Sequence, residues 1–323
     1  MQDLAPCHFI ALTVMIAAFA FDAIIGDPPS RLHPVVWMGR LIEVLKKLNR
    51  GPPRCRRVLG VLTVTIAIAA FALPIFFAFK LLRDVNLIAY AVLGGLALKF
   101  TFAFRSLSDY TRPIAEMLER GDVEGARKCL PFIVRRDSSK LDEELIASAA
   151  VESIAESTVD GITSPLFYYA LFGMPGAYAF RVVNTLDSMV GYKTEELKDF
   201  GWFSARLDTL LNFLTSRLTA LLIALAAWIL GMNARRGLGI ALRDHSKTES
   251  LNAGWPMSAM AGVLGVKLVK PGSYELGDPM SKLEPVYILK AIKVMRVTTL
   301  LFAIIICLPL VALRCALLPA WVV

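Results

Sequence analysis

The chain has 323 residues, 56% of them hydrophobic, and a formal net charge of +8 at neutral pH. This apolar share exceeds that of an ordinary soluble domain, which argues against a pair of soluble domains. The cations lack the aromatic interleaving or known module of a nucleic-acid-binding protein. The composition therefore predicts an integral membrane protein.

Six apolar windows follow along the chain. A helix needs roughly 20 mainly apolar residues to cross the hydrocarbon. Five windows carry no charged side chain, and one is interrupted only by Lys99; they are 4–21, 58–79, 85–104, 161–180, 218–234 and 297–313. We expect an all-α, polytopic protein with four to six spans. The first window lacks the basic n-region of a signal peptide, so we expect it to be retained.

Two basic segments orient these spans. Segment 28–57 holds eight Lys and Arg residues against Glu43 alone, and segment 231–296 holds ten against five acids. By the positive-inside rule both face the cytoplasm, which places the N-terminus outside. The sequence thus predicts a multi-pass protein of the cell membrane.

Three consecutive segments are expected. Residues 1–104 form an N-terminal membrane region of three spans with a basic cytoplasmic loop. Residues 105–210 form a cytoplasm-facing helical segment and a membrane-associated hairpin that carries an acidic site. Residues 211–323 form a C-terminal membrane region with a binding loop over 244–285, and short strands are expected only around 266–274. Five cysteines without a C-x-x-C pair indicate neither a zinc site nor a disulfide framework.

An acidic helix is predicted over 141–160, ended by Gly161 and the following proline. Glu152, Glu156 and Asp160 recur every four residues, which places them on one helix face. Like charges at this spacing repel, and no Lys or Arg lies between residues 140 and 181. Such a stripe favours an external cation, and Mg²⁺ prefers oxygen ligands. A solvated acidic helix face is the alternative.

A second polar cluster follows the apolar window at 161–180. Asn184 and Asp187 are three residues apart and have the oxygen donors to complete a metal site, while Lys193 has the charge to hold a phosphate. A helix cap is an equally good interpretation, since Asn and Asp cap helices and Gly191 is a plausible stop.

Three weaker candidates remain. Asp27 and His33 lie in a turn-rich stretch where the first helix leaves the membrane, which is a natural mouth for substrate. Arg136, in an Arg-Arg-Asp sequence, is either part of a helix start or an anion clamp. The loop from residue 244 contains His245, Ser246 and Asn252, but it matches no P-loop, nucleophile elbow or Rossmann fingerprint.

Six segments follow one another in a specific order: GDPPSRLHPVVWMGRLI, RRDSSKLD, AVESIAESTVDGITSPLFYYALFG, NTLDSMVGYK, SARLDTLLNFLTSRLTA and SLNAGWPMSAMAGVLGVKL. In this order, from about residue 22 to residue 284, the chain resembles the cobalamin-biosynthesis family of adenosylcobinamide-phosphate synthase (cobinamide synthase, CobD/CbiB). Proteins of this family join aminopropanol or aminopropanol phosphate to the propionate carboxylate of adenosylcobyric acid. The resemblance implies ATP-driven amide formation with Mg²⁺ and ATP, a corrinoid partner, and association with other enzymes of the pathway.

The resemblance also assigns residues. The family's acidic motif falls on Glu152, Glu156 and Asp160, its amide-acid motif on Asn184 and Asp187, and its basic positions on Lys193 and Arg217. Together with the candidates above, we expect a metal set of Glu152, Glu156, Asn184 and Asp187; catalytic roles for Glu152, Glu156, Asp160, Lys193 and His245; ATP or phosphate binding by Arg136, Lys193, Arg217, Ser246 and Asn252; and substrate binding by Asp27, His33 and Asn212. Four residues depart from the family pattern: Ser157, Thr209, Thr215 and Leu251. A non-catalytic membrane sensor or regulatory protein and a small-solute transporter are the alternative classes, although no inverted repeat is found in the sequence.

The predicted topology contains a conflict. If all six windows crossed, Asn184 and Asp187 would lie outside, about 30 Å of hydrocarbon away from Glu152. We therefore expect a re-entrant hairpin over 161–183, broken at 173–176, because irregular backbone is tolerated at that depth when protein surrounds it. Segment 210–230 must then also fail to cross, and the active site faces the cytoplasm, where ATP is available.

Overall fold

The computed structural model describes residues 4–317, and their regular structure is almost entirely helical, as predicted. The helices are α1 Leu4–Ile25, α2 Pro34–Lys46, α3 Pro53–Val85, α4 Leu87–Lys99, α5 Phe104–Glu119, α6 Val123–Cys129, α7 Glu143–Thr158, α8 Ser164–Val190, α9 Trp202–Ile229, α10 Ala234–Asp244, α11 Gly254–Leu264, α12 Val286–Phe302 and α13 Leu308–Leu317. Two short strands, β1 Leu268–Lys270 and β2 Tyr274–Leu276, pair antiparallel with Val269 opposite Glu275. They lie close to the predicted strand region.

The chain divides into two compact units. Unit 1 comprises residues 1–103, 164–211 and 304–323, and unit 2 comprises residues 104–163 and 212–303. Unit 1 therefore contains α1 to α4, α8 and α13, unit 2 contains α5 to α7 and α10 to α12, and α9 is divided between the two. The three-segment organisation predicted along the sequence remains a prediction.

Five stretches of the described chain are long and apolar enough to cross a membrane, which confirms the multi-pass class. They are His8–Ile25, Pro53–Val85, Leu87–Glu119, Trp202–Ile229 and Val286–Leu317. The fourth stretch, α9, differs from the rest because 56% of its apolar window is buried inside the protein, against 28–33% for the other four. More of the apolar surface of α9 is therefore covered by protein than that of the other four stretches.

The predicted hairpin is present in α8. Gly173 has φ 67° and ψ −157°, a conformation that breaks the helix and that only glycine adopts readily. The rings of Tyr168 and Phe180 stack with centroids 5.2 Å apart, although twelve residues of straight helix would separate them by about 18 Å. The two halves of α8 therefore fold back on each other. The chain enters and leaves this hairpin at the same end.

Arg314 of α13 closes the tip of the hairpin. Its guanidinium, 4% exposed, donates from Nη1 to the backbone oxygen of Tyr169, four residues before the break. In an unbroken helix that oxygen would accept from the N–H of residue 173. The Tyr169 hydroxyl donates to the backbone oxygen of Ala11 in α1, so the tip is held between α1 and α13.

The segment after the hairpin lies beside the basic loop after α1. Asn49 donates to the backbone oxygen of Glu196 at 2.9 Å, and Arg57 pairs with Asp199 at 2.9 Å. A Cβ on Gly60 would lie 2.1 Å from the backbone oxygen of Phe200, so the chains touch there. Residues 49–60 and 196–200 therefore share one side of unit 1, which the arrangement with six full spans does not allow.

Helix α7 forms the centre of unit 2. Residues 146–155 are all buried, although the helix carries acids. Thr163 and the buried Thr219 of α9 are hydrogen-bonded at 2.8 Å.

Helix α7 does not stop at Gly161 as predicted. A π-helical turn, Val159–Thr163, connects it to α8, and the proline at 165 lies in the first turn of α8 rather than ending α7. Proline is accepted in a first helical turn because its N–H is not needed there.

The cysteines agree with the sequence in part. Cys55, Cys129 and Cys307 are free thiols. Cys315, however, is disulfide-bonded, which the spacing of the cysteines did not indicate.

Candidate functional site

Glu152 is buried, 4% exposed, and its carboxylate is held by three protein donors. Ser148 donates to Oε1 at 2.7 Å, while Arg136 and the Tyr274 hydroxyl donate to Oε2 at 3.1 and 2.8 Å. The expected absence of a nearby cation is therefore wrong, because Arg136 lies sixteen residues upstream of Glu152, just outside the stretch 141–180 that lacks Lys and Arg. Burial is the main cause that raises the pKa of Tyr274, and the nearby Glu152 carboxylate raises it further. The Tyr274 hydroxyl therefore stays protonated and donates to Glu152.

Glu156 and Asp160 have different surroundings. Glu156 is exposed and lies close enough to Tyr274 to raise its pKa as well. Asp160 is half-buried in the π-helical turn. Such turns are frequent at functional sites. The three acids therefore differ: Glu152 is neutralised inside the protein, and Glu156 is presented at the surface.

The fit of a magnesium ion follows from these contacts. Glu152 already has an arginine as its counter-charge, so it does not fit the role of a metal ligand. Within residues 4–317, no group of three or more His, Cys, Asp or Glu side chains is arranged to hold a metal ion. Glu156 and Asp187 fit better, as Mg²⁺ is commonly bound by one or two carboxylates together with substrate phosphates. They belong to unit 2 and unit 1, respectively.

A second group in unit 2 surrounds Arg217. Its guanidinium lies over the Phe213 ring at 3.6 Å and near the Trp255 ring at 5.2 Å. It donates to Asn252 Oδ1 at 3.2 Å and to the hydroxyl and backbone oxygens nearby. In the described part of the chain these acceptors are all neutral. A rigid cation whose partners are all neutral is suited to an anion, which supports the predicted role of Arg217.

His245 lies beside the same tryptophan. Its ring stacks on Trp255 with centroids 4.0 Å apart, and Nδ1 is 3.0 Å from the backbone oxygen of Ala241. A carbonyl oxygen can only accept, so the hydrogen bond places the proton on Nδ1 of the neutral ring. Nε2 then carries the lone pair, as a general base requires.

Asp244 anchors this loop. It is fully buried and accepts from Arg243, Lys247 and the backbone N–H of Gly277. Burial opposes ionisation of Asp244, but Arg243, Lys247 and the Gly277 N–H more than offset it and hold its pKa well below the usual range. The loop that carries His245 is thereby tied to the end of β2. Ser246 is exposed at its surface.

The amide-acid motif lies in unit 1, on the second half of α8. Asn184 donates to Asp208 Oδ1 of α9 at 3.2 Å, and both residues are half-buried. Asp187 is half-buried one turn later, and a Cβ on Gly191 would lie 2.0 Å from its carboxylate. Lys193 is exposed beyond the end of the helix. The helix therefore continues past both residues, and neither of them is its cap.

Asp27 and His33 also meet in unit 1. Asp27 Oδ1 is 2.6 Å from the Nζ of Lys99, which is 1% exposed, and 4.0 Å from His33 Nε2. His33 Nδ1 accepts from the Val35 N–H and caps α2. Burial lowers the pKa of His33, with Arg181 and Lys99 adding to the effect and Asp27 opposing it. The ring is thus neutral at pH 7.

Sequence reasoning missed several partners. Tyr274, Lys99 and Trp255 each contact a predicted residue, and each is distant from it in sequence or lies in an apolar context. Lys99 carried a signal, since a lone cation in an apolar window is costly unless it is paired. Asn212 is buried at the unit 2 end of α9, with 1% exposure, and this supports a packing role as much as substrate binding.

Fold and contacts together define a helical, multi-pass membrane protein. It has buried ion pairs, and Arg217 and His245 both lie against the Trp255 ring. Comparison with known proteins makes this more specific. The model of the family described as CobD/Cbib protein matches residues 15–314, and the chain belongs to this family.

Several curated relatives have a similar length. A probable cobalamin biosynthesis protein CobD of Methanothermobacter thermautotrophicus is 43% identical over 294 residues, which cover 91% of this chain and 96% of that protein. A cobalamin biosynthesis protein CobD of Dehalococcoides mccartyi is 40% identical over 275 residues, 85% of this chain and 89% of that protein. No solved structure matches the chain.

Proposed function

We propose that this protein acts in cobalamin biosynthesis and converts adenosylcobyric acid to adenosylcobinamide or its phosphate. The new bond is an amide between the propionate carboxylate and aminopropanol or aminopropanol phosphate. The observation that carries the proposal is the family match over residues 15–314, because it includes the acidic helix, the hairpin and the loop around His245.

The chemistry requires activation of the carboxylate, which is a poor acyl donor. ATP, as the co-substrate, would transfer its γ-phosphoryl group to this carboxylate and leave as ADP, and a bound Mg²⁺ would neutralise phosphate charge. The amine then attacks the acyl carbon, phosphate leaves, and one proton is released. Glu156 in unit 2 and Asp187 in unit 1 are the candidate Mg²⁺ ligands, and they are not assigned to the same ion.

Residues of unit 2 have the properties for two of these steps. Arg217, stacked on Phe213 and bonded to neutral acceptors, is suited to holding a phosphate oxygen. His245, with the lone pair on Nε2, is suited to accepting the proton of the attacking amine, and Asp160 is the alternative base. Glu152 acts as a positioning residue. It accepts hydrogen bonds from Arg136 and Tyr274 and thereby holds both side chains in place.

The site is proposed to face the cytoplasm. Residues 49–60 contact residues 196–200, and the positive-inside rule places the loop 28–57 inside. The amide-acid motif, whose segment ends at Lys193 three residues before residue 196, then lies on the inner side as well. Access to ATP supports the same orientation.

The direct test uses purified protein in nanodiscs with adenosylcobyric acid, Mg²⁺, ATP and either aminopropanol or aminopropanol phosphate. We expect an amide product by mass spectrometry, dependent on ATP and preferring one amine. Folded protein that forms no product with either amine would overturn the enzymatic proposal and favour a sensor or a transporter. The His245→Gln variant serves as the matched control, since it keeps a hydrogen-bonding side chain but removes the base.

A further inference from the structure

Helix α2 has an exposed apolar stripe beside its buried one. Pro34, Met38 and Ile42 are buried against the protein. Trp37 and Val44 are 45% and 59% exposed and lie seven residues apart, on one line of the helix. At 3.6 residues per turn this exposed line is displaced by about 100° from the buried line. The apolar arc of α2 therefore extends well beyond what the protein covers.

Cations border this exposed stripe. Arg40 and Lys47 are exposed and also lie seven residues apart, on a line about 60° farther from the buried face than Trp37 and Val44. Glu43 lies beyond them. An arc that runs from protein through apolar side chains to cations matches a helix lying in a membrane interface, where Lys and Arg extend their head groups to the lipid phosphates.

The start of α3, which follows α2 in sequence, also carries cations and an aromatic contact. Arg57 pairs with Asp199 at 2.9 Å and lies over the Trp202 ring at 5.9 Å, and Trp202 is 43% exposed. Arg54 is exposed one turn before Arg57. Tryptophan and tyrosine side chains are enriched at the membrane–water interface. In chain order α2 also connects two candidate spans, His8–Ile25 and Pro53–Val85, so both of its ends lead toward the membrane.

We infer that α2 and the start of α3 form a docking surface for anionic phospholipid head groups. Trp37 and Val44 enter the acyl boundary, and Arg40, Lys47 and Arg54 bind the lipid phosphates. The excess of cations is what selects anionic over zwitterionic lipid: segment 28–57 carries eight Lys and Arg residues against one acid. Each cation near such a surface adds attraction.

The lipid preference is measured after reconstitution in nanodiscs of equimolar phosphatidylglycerol and phosphatidylcholine. Lipids that stay bound on transfer to detergent are quantified by mass spectrometry. We expect phosphatidylglycerol to be enriched, and the triple variant Arg40→Gln, Lys47→Gln, Arg54→Gln to lose this enrichment by about tenfold or more. The charge-matched control Arg120→Gln, Lys128→Gln, Lys140→Gln changes exposed cations elsewhere and should retain it. Equal retention in both triple variants would overturn the inference.

The depth of α2 is measured separately with spin labels at Val44→Cys and Glu43→Cys in a cysteine-free background. The label at position 44 should relax with oxygen, which concentrates in lipid, and the label at position 43 with a water-soluble nickel complex. Equal water exposure at both positions would contradict the insertion of the apolar stripe. Neither measurement depends on enzymatic activity.

Discussion

Glu152 and Glu156 show how one sequence pattern separates into two roles. They are four residues apart on α7, yet Glu152 is 4% exposed and bound by Arg136, Ser148 and Tyr274, whereas Glu156 is exposed. A buried carboxylate that has its own arginine stabilises the fold. An exposed carboxylate beside it remains accessible to a metal ion or a substrate.

The two glutamates should therefore respond differently to the same substitution. Glu156→Gln is expected to abolish turnover while leaving Tm within about 2 °C of the wild type, since surface changes alter stability little. Glu152→Gln leaves Arg136 without its counter-charge and should lower stability by about 3 kcal/mol. Turnover and thermal unfolding of both variants decide the matter. Wild-type turnover by Glu156→Gln would eliminate its role as metal ligand.

Asp244 leads to a prediction on pH. Its folded pKa lies below the unfolded value because of Arg243, Lys247 and the Gly277 N–H, against the effect of burial. The ion pairs thus stabilise the protein above about pH 4 and are lost as the pH falls through the folded pKa. The Tm difference between wild type and Asp244→Asn should be largest near pH 7 and shrink toward pH 3. Asp278→Asn, at an exposed partner of Arg243, should show a much smaller difference, and equal differences would refute the assignment.

At the scale of elements, the hairpin in α8 was predictable from the sequence, but the side-chain contacts that hold it were not. A glycine- and proline-containing break inside an apolar window indicates a re-entrant segment. The hydrogen-bond partners are remote in sequence: Arg314 lies 145 residues from Tyr169, and Tyr274 lies 122 residues from Glu152. Spacing along one helix contains no information on such partners, so the sequence predicted the acids but not what neutralises one of them.

The break itself can be tested by a glycine pair. Gly173 has φ 67° and ψ −157°, a region that costs other residues about 1–3 kcal/mol, so Gly173→Ala should destabilise the protein by that amount. Gly239 of α10 has open space around its missing Cβ, and Gly239→Ala should be neutral or slightly stabilising. Thermal unfolding in detergent compares the two. Similar Tm values would show that the break is not strained.

For the whole molecule, the number of crossings depends on α8 and α9 together. The stacked rings of Tyr168 and Phe180 show that α8 turns back, and the 56% burial of the α9 window distinguishes it from the other candidate spans. If neither crosses, four spans remain, and segments 28–57 and 231–296 both stay inside as their charges require. Hydropathy alone does not decide between these counts, because an apolar core helix and an apolar span have the same composition.

We propose that the amide-acid motif lies on the cytoplasmic side of the membrane, and cysteine labelling in intact cells tests this orientation. Glu195→Cys, in the segment tied to the basic loop through Glu196 and Asn49, is compared with Asp84→Cys at the opposite end of α3, both in a cysteine-free background. An impermeant maleimide should modify residue 84 in intact cells and residue 195 only after permeabilisation. Ready modification of residue 195 from outside would show that the motif lies on the outer side.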